Sequence, residues 1–466
     1  MKLIYNVEDK PQFSERVVFA FQQVLAIMAA TIAVPATVNT WCGTSMTASA
    51  ALFGAGVGTL VYQLFTKFRS PVFLGSSFVF MPSMFAAFAG AASMQLGFLG
   101  LILGAFFAGL VYVIFALLVK HFGVQWINKL MPAVIIGPIV ANIGLSMAGN
   151  AVGDMMTGDA GASPYIALIC ALVTLFVVII CSVYGSKKLR LIPFIIGILA
   201  GYAVAACFTL IGNAAGLDAL KVIDFAPFKA LFADGVKFTS FFNVPQFTFL
   251  VAKDGLKELS GSYVVSILFA YVPVAVVVFA EHLADHKNLS SIIERDLTKD
   301  PGLDKTLLGD GIGSAAGAFF GGCPNTTYGE SIGCVAITKN ASAVTIRYAA
   351  YMCMILAFLS PIVAFLDSIP ACVMGGVCMT LYGFIAVSGL KMLQPVDLND
   401  NRNLFVASVI LIAGVGGFSL NIATGLGNIT ITTAACSLIL GIVTNLIVRR
   451  GAAAEGQEPK PQQLIK

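Results

Sequence analysis

Two acidic residues stand where an apolar sequence should carry none. Glu281 lies in Val276-Val277-Val278-Phe279-Ala280-Glu281-His282, and Glu330 closes Pro324-Asn325-Thr326-Thr327-Tyr328-Gly329-Glu330. An ionisable side chain among membrane-spanning residues is costly and marks a functional site by default. A carboxylate accepts hydrogen bonds, and a protonated carboxyl also donates. Two of them on separate spans suit a polar substrate held in mid-membrane and coupled to a cation. Asp285, four residues after Glu281, shares its helix face.

The elements that must position these acids are membrane helices. Hydrophobic residues make up 58% of the chain and charged residues 11%, against about 25% charged in a soluble domain. Apolar runs of about 20 residues, enough to cross a bilayer core, recur from end to end, which predicts a polytopic helical protein bathed in membrane lipid. The net charge of +4 does not indicate nucleic acid, because the basic residues lie in the connections. The first span, 16–35, is too long for a signal-peptide core and is read as retained. The ten cysteines form no CxxC pair and read as small core hydrophobes, so neither a disulfide framework nor a metal knuckle is expected.

Fourteen spans fit the pattern of basic residues. Lysine and arginine favour cytoplasmic connections, and here they recur in every second one. All but five of the 27 fall on one side, and those five (Lys221, Lys229, Lys237, Lys253 and Lys257) share the long loop at 214–260. Both termini are therefore expected in the cytoplasm of a multi-pass cell-membrane protein. The loop divides the chain into a seven-span repeat at 16–213 and a second at 261–448, followed by a tail at 449–466. An odd number of spans per half requires the second repeat to be inverted. Such repeats bind substrate at their interface near the midplane.

The third span of each half is interrupted. One contains Pro71, Leu74-Gly75-Ser76-Ser77-Phe78 and Pro82; the other contains Gly321-Gly322-Cys323-Pro324. Broken backbone at that depth is tolerated only inside protein or along a cavity, and it leaves helix N-terminal N–H groups free for a polar ligand.

The pattern resembles the nucleobase–ascorbate transporters (nucleobase:cation symporters of the second type), and within them the bacterial uracil-permease branch. The resemblance rests on Ala30-Thr31 with Val34-Pro35, Leu74-Gly75-Ser76-Ser77-Phe78, Ala280-Glu281-His282, Asp300-Pro301-Gly302-Leu303, the segment 324–330 with Ile332-Gly333 and Ala336-Ile337-Thr338, and Pro370, Met374-Gly375-Gly376 and Leu381-Tyr382-Gly383. It implies uracil import by cation symport, with no catalytic residue and no cofactor. It also implies a core domain (16–121 and 261–366), a gate domain (126–213 and 369–448), and short antiparallel strands at the breaks in helices 3 and 10. Glu281 and Glu330 would hold the ring edges. Backbone at Tyr328, Gly329 and Ala30 would add polar contacts, and Phe78 a flat wall. Glu281, Asp285 and Tyr382 would serve proton coupling, while Asn325 and Thr338 would tie the core together. Hydropathy alone ends span 8 near Ala280; the resemblance requires the helix to continue through Leu289 to Ile293.

Uracil-type members often carry histidine where this chain has Asp285, with His286 next. That departure makes a carboxylate pair the alternative coupling group, with sodium the alternative ion to the proton. A xanthine or uric acid substrate on the same fold and a homodimer are also open. His282 and His286, with Asp285 between them, raise an intramembrane metalloenzyme as a remote rival; a channel is another.

Overall fold

The computed structural model describes residues 3–123, 132–186, 189–233, 235–424 and 427–454. The tail expected at 449–466 lies outside them beyond residue 454. Among the described residues, eight helices are long and apolar enough to cross a membrane, and shorter apolar helices follow in the last third.

The first half comprises α1 (Phe13–Cys42), α2 (Ala48–Phe65), β1 (Leu74–Ser76), α3 (Met81–Ala89), α4 (Met94–Phe122), α5 (Ala133–Ser146), α6 (Ala148–Met155), α7 (Pro164–Tyr184) and α8 (Pro193–Ala215). Two short helices, α9 (Ala226–Leu231) and α10 (Thr248–Ala252), lie in the long connection. The second half comprises α11 (Gly261–Ile293), α12 (Leu303–Gly321), β2 (Asn325–Thr327), α13 (Gly329–Thr338), α14 (Ala343–Leu356), α15 (Ser360–Asp367), α16 (Ala371–Met392), α17 (Asn401–Val415), β3 (Leu420–Thr424), β4 (Gly427–Ile431) and α18 (Thr433–Ala454).

Local chemistry sets several boundaries. Thr47, Ser93 and Ser260 accept at the starts of α2, α4 and α11, each satisfying an otherwise unpaired helix N–H. Gly43 ends α1 in the left-handed region at φ 62°, a conformation open to glycine. Helix α11 continues through Leu289 to Ile293, as the resemblance required and hydropathy did not. At its far end Asp300 pairs with Arg295 and Arg69, whose guanidiniums hold its carboxyl below the usual range.

Both interrupted spans become a strand followed by a short helix. β1 and β2 pair antiparallel, with Leu74 opposite Thr327 and Ser76 opposite Asn325. The charge and hydropathy pattern predicts a bare connection at 420–425 and a last span from 426 to 448; instead the strands β3 and β4 pair there. The physical source of this pairing is the β-branched run Ile429-Thr430-Ile431-Thr432-Thr433, which favours extended backbone. The apolar run at 345–366 predicts one span, but the structure divides it between α14 and α15, with Pro361 in the first turn of α15.

Helix α12 packs along α2 and α4, α14 along α1 and α2, and α11 along α4. Helix α16 packs along α5, α6 and α7, while α17 packs on α18 and α5. Glycines let the first group approach closely. A Cβ on Gly54 would lie 2.5 Å from the carbonyl of Gly317, and one on Gly317 would meet the Asn325 amide at 2.1 Å. Gly54→Leu is therefore expected to destabilise the protein by about 1–3 kcal/mol or more, read as a lower unfolding midpoint of the purified protein. An unchanged midpoint would mean that α2 and α12 are not held in this contact.

Candidate functional site

The strand pair delivers the acid-bearing segment to a cavity of about 370 Å³. Phe78 follows β1, Tyr328 to Glu330 follow β2, Glu281 and Asp285 come from α11, and α16 closes the opposite side. The α16 residues are Leu381, Phe384, Ile385, Ser388 and Met392, a spacing that presents one helix face.

Glu330 lies in the first turn of α13, where the leading N–H groups have no intrahelical acceptor. Glu281 has its Oε2 buried and without a hydrogen-bond partner. The Thr327 hydroxyl donates to Asp285 Oδ2 at 2.6 Å. The Tyr328 hydroxyl donates to the Ser76 carbonyl at 2.6 Å, fixing its ring across the strand pair. A Cβ on Gly75 would strike that ring at 2.4 Å, so the glycine in β1 makes room for it. A Cβ on Gly329 would meet nothing within 4 Å, which leaves backbone open to the cavity. Three carboxylates, exposed backbone and an aromatic wall thus surround a space of small-ligand size.

The remaining expected residues lie elsewhere. Ala30 is buried in α1 and does not line the cavity. Tyr382 is buried behind the wall, sharing a hydrogen bond of 3.1 Å with the Thr37 hydroxyl, and its ring stands edge-on to Phe78 at 5.7 Å. That layer ties α1 to α16 and closes the cavity on one side. Asn325 donates to the Gly54 carbonyl at 3.1 Å, joining β2 to α2. Thr338 donates to Cys334 within its own helix, at 2.7 Å, and accepts from Asn340, so its bonds are local.

His282 and His286 face away from the cavity. His282 Nδ1 meets Asp310 Oδ2 at 2.7 Å and its Nε2 meets Thr306 at 3.1 Å. His286 Nε2 meets the Tyr62 hydroxyl at 2.7 Å, and its Nδ1 meets the His282 carbonyl at 2.8 Å. Tyr62 continues to Ser70 at 2.7 Å. All four ring nitrogens are thus engaged by protein groups, which accounts for the metal-like spacing. Among the described residues no cluster of histidine, cysteine or acid is arranged to hold a metal. Sequence reading missed Asp310, although an acid inside a predicted span was the very signal used for Glu281. It also missed Thr327 as the partner of Asp285.

A family model described as "Permease family" matches residues 14–423. The uracil permease of Bacillus caldolyticus is 38% identical, the match covering 97% of each chain. The uracil permease of Escherichia coli K12 is 31% identical, the match covering 95% of each. This chain belongs to the nucleobase–ascorbate transporter family. It is a multi-pass membrane protein of that permease family. Its fold is also similar to more distant transporters. The transmembrane domain of a cyanobacterial bicarbonate transporter, BicA, superposes with a TM-score of 0.56 at 15% identity, covering 94% of this chain and 99% of that one. SLC26A9 gives a TM-score of 0.63 at 12% identity, covering 94% and 66%. At such identities the likeness concerns fold alone.

Proposed function

We propose that this family member imports uracil across the cell membrane by cation symport, with the proton as the coupling ion. The observation that carries the reading is the convergence of Glu281, Glu330 and open backbone at Gly329 on one cavity beside Phe78. Uracil is a small planar ring with two N–H donors and two carbonyl acceptors. Carboxylates match its N–H groups, free backbone N–H groups match its carbonyls, and an aromatic side chain suits its face. The names of the full-length relatives point the same way.

In this reading fourteen spans form two inverted repeats. Helices α1 to α4 and α11 to α15 belong to a core that carries the acids, and α5 to α8 with α16 to α18 form a gate. The grouping of helix contacts supports that division. A buried carboxyl balances desolvation against hydrogen bonding to its charged form, so a cavity with three carboxyls has the means to take up a proton with substrate and release both inside.

Uptake of labelled uracil into proteoliposomes tests the function. Unlabelled uracil should compete strongly, and xanthine and guanine weakly. Stronger competition by xanthine would move the protein to the purine branch. Orientation has its own test, because the alternation of basic connections places 214–260 outside. In a variant lacking native cysteines, an impermeant thiol reagent applied to cells should label Val236→Cys and spare Arg295→Cys. The opposite pattern would overturn the span count.

A further inference from the structure

A second cavity, about 350 Å³, lies at the other end of α1 and α16 from their basic residues Arg16 and Lys391. Asp154 and Asp159 line it from α6 and the segment after it, and Asp367 from the end of α15. No lysine, arginine or histidine is among its lining residues. Three acids without a base make such a space attractive to cations.

The three carboxylates are not equally provided for. Asp159 accepts the Ala371 N–H at 2.6 Å, and Asp367 accepts from the backbone of Ala48. Asp154 is only 2% exposed, and its Oδ1 has no partner; its other bond comes from the Trp41 side chain. A buried carboxylate oxygen without a donor is costly unless an ion or a proton compensates it. Beyond the lining, α9 packs on α15 and carries Lys229, while Asp224 adds a further negative charge at Asp159; the other helices packed there bring no basic group to this end. From α16 come Cys378 and Tyr382, from α1 comes Trp41, and α5 and α7 contain no acidic, basic or histidine residue. Asp154 and Asp159 stand on the side of α6 and α16, and Asp367 on the side of α2, so the cleft brings like charges together across two packed groups of helices.

We propose that this cleft is a second cation site, distinct from the cavity of Glu281 and Glu330, with Asp154 as the principal ligand. A small monovalent cation held there offsets the repulsion between Asp154, Asp159 and Asp367 and keeps the cleft closed. The cation is either a proton on Asp154 or an alkali ion among the three carboxylates. The site needs no substrate, so its test is independent of the uracil reading.

The test is the unfolding midpoint of the purified full-length protein without nucleobase. Sodium chloride is compared with choline chloride at equal ionic strength and alkaline pH, and choline chloride samples are then acidified stepwise. Raising the cation to about ten times its dissociation constant should lift the wild-type midpoint by about 2 °C. A response to sodium identifies an alkali ion, and an acid response present in the wild type and lost in Asp154→Asn identifies the proton. Asp154→Asn should remove that response, whereas Glu330→Gln, in the other cavity, should retain it. If Asp154→Asn does not fold, Asp367→Asn should shift the half-effective cation concentration by about tenfold or more. A wild type indifferent to both sodium and acid, or a response unchanged in the folded variant, would overturn the proposal.

Discussion

Glu330→Gln is expected to weaken uracil binding by roughly 30- to 1,000-fold. Glu330 sits in the first turn of α13 and lines the cavity. The substitution replaces an acceptor-only carboxylate with an amide whose NH₂ confronts a ring N–H. Losing a charge-assisted hydrogen bond and leaving a mismatched partner costs about 2–4 kcal/mol. Glu281→Gln should act in the same direction, because the Glu281 Oε2 has no protein partner to compensate the change. Binding is read on purified protein, at matched expression and unfolding midpoint. Near-normal uracil affinity in both variants would remove the pair from the site.

Asp285→Asn is expected to uncouple more than it unbinds. Asn keeps an oxygen to accept from the Thr327 hydroxyl, which donates to Asp285 Oδ2, but it cannot cycle a proton. Labelled uracil should still exchange across a proteoliposome membrane, while accumulation driven by a pH gradient is largely lost. Asp285→His should keep accumulation, with its pH optimum moved toward neutrality, where histidine titrates. Accumulation intact in Asp285→Asn would end the relay assignment.

The site was legible where chemistry and local backbone coincide. Glycine, proline and hydroxyl residues at 74–78 and 321–327 announced the two breaks, whereas the antiparallel pairing of β1 with β2 was expected from the resemblance alone. Glu281 and Asp285 were readable as one helix face because they are four residues apart. The same spacing applies to His282 and His286, rotated by one residue, or about 100°. Read as a motif with Asp285, they suggested a metal. In the fold they face Asp310 and Tyr62 while the acids face the cavity. Sequence distance hid the cleft of Asp154, Asp159 and Asp367, since only the packing of α6 against α16 and α1 brings the last acid to the first two. Tyr382 was attached to the site by resemblance, yet its position behind Phe78 depends on how α16 meets α1, which no local pattern encodes.

The anomalous signal of bromine in crystals of the wild-type protein grown with 5-bromouracil tests directly where the nucleobase binds. One bromine peak is expected in the cavity bounded by Glu281, Glu330, Gly329 and Phe78, with the ring edges within hydrogen-bond distance of the two carboxylates. The peak should be absent from Glu330→Gln crystals under the same conditions. A peak in the cleft of Asp154 and Asp367, or an empty Glu281–Glu330 cavity in protein that binds 5-bromouracil in solution, would contradict that placement.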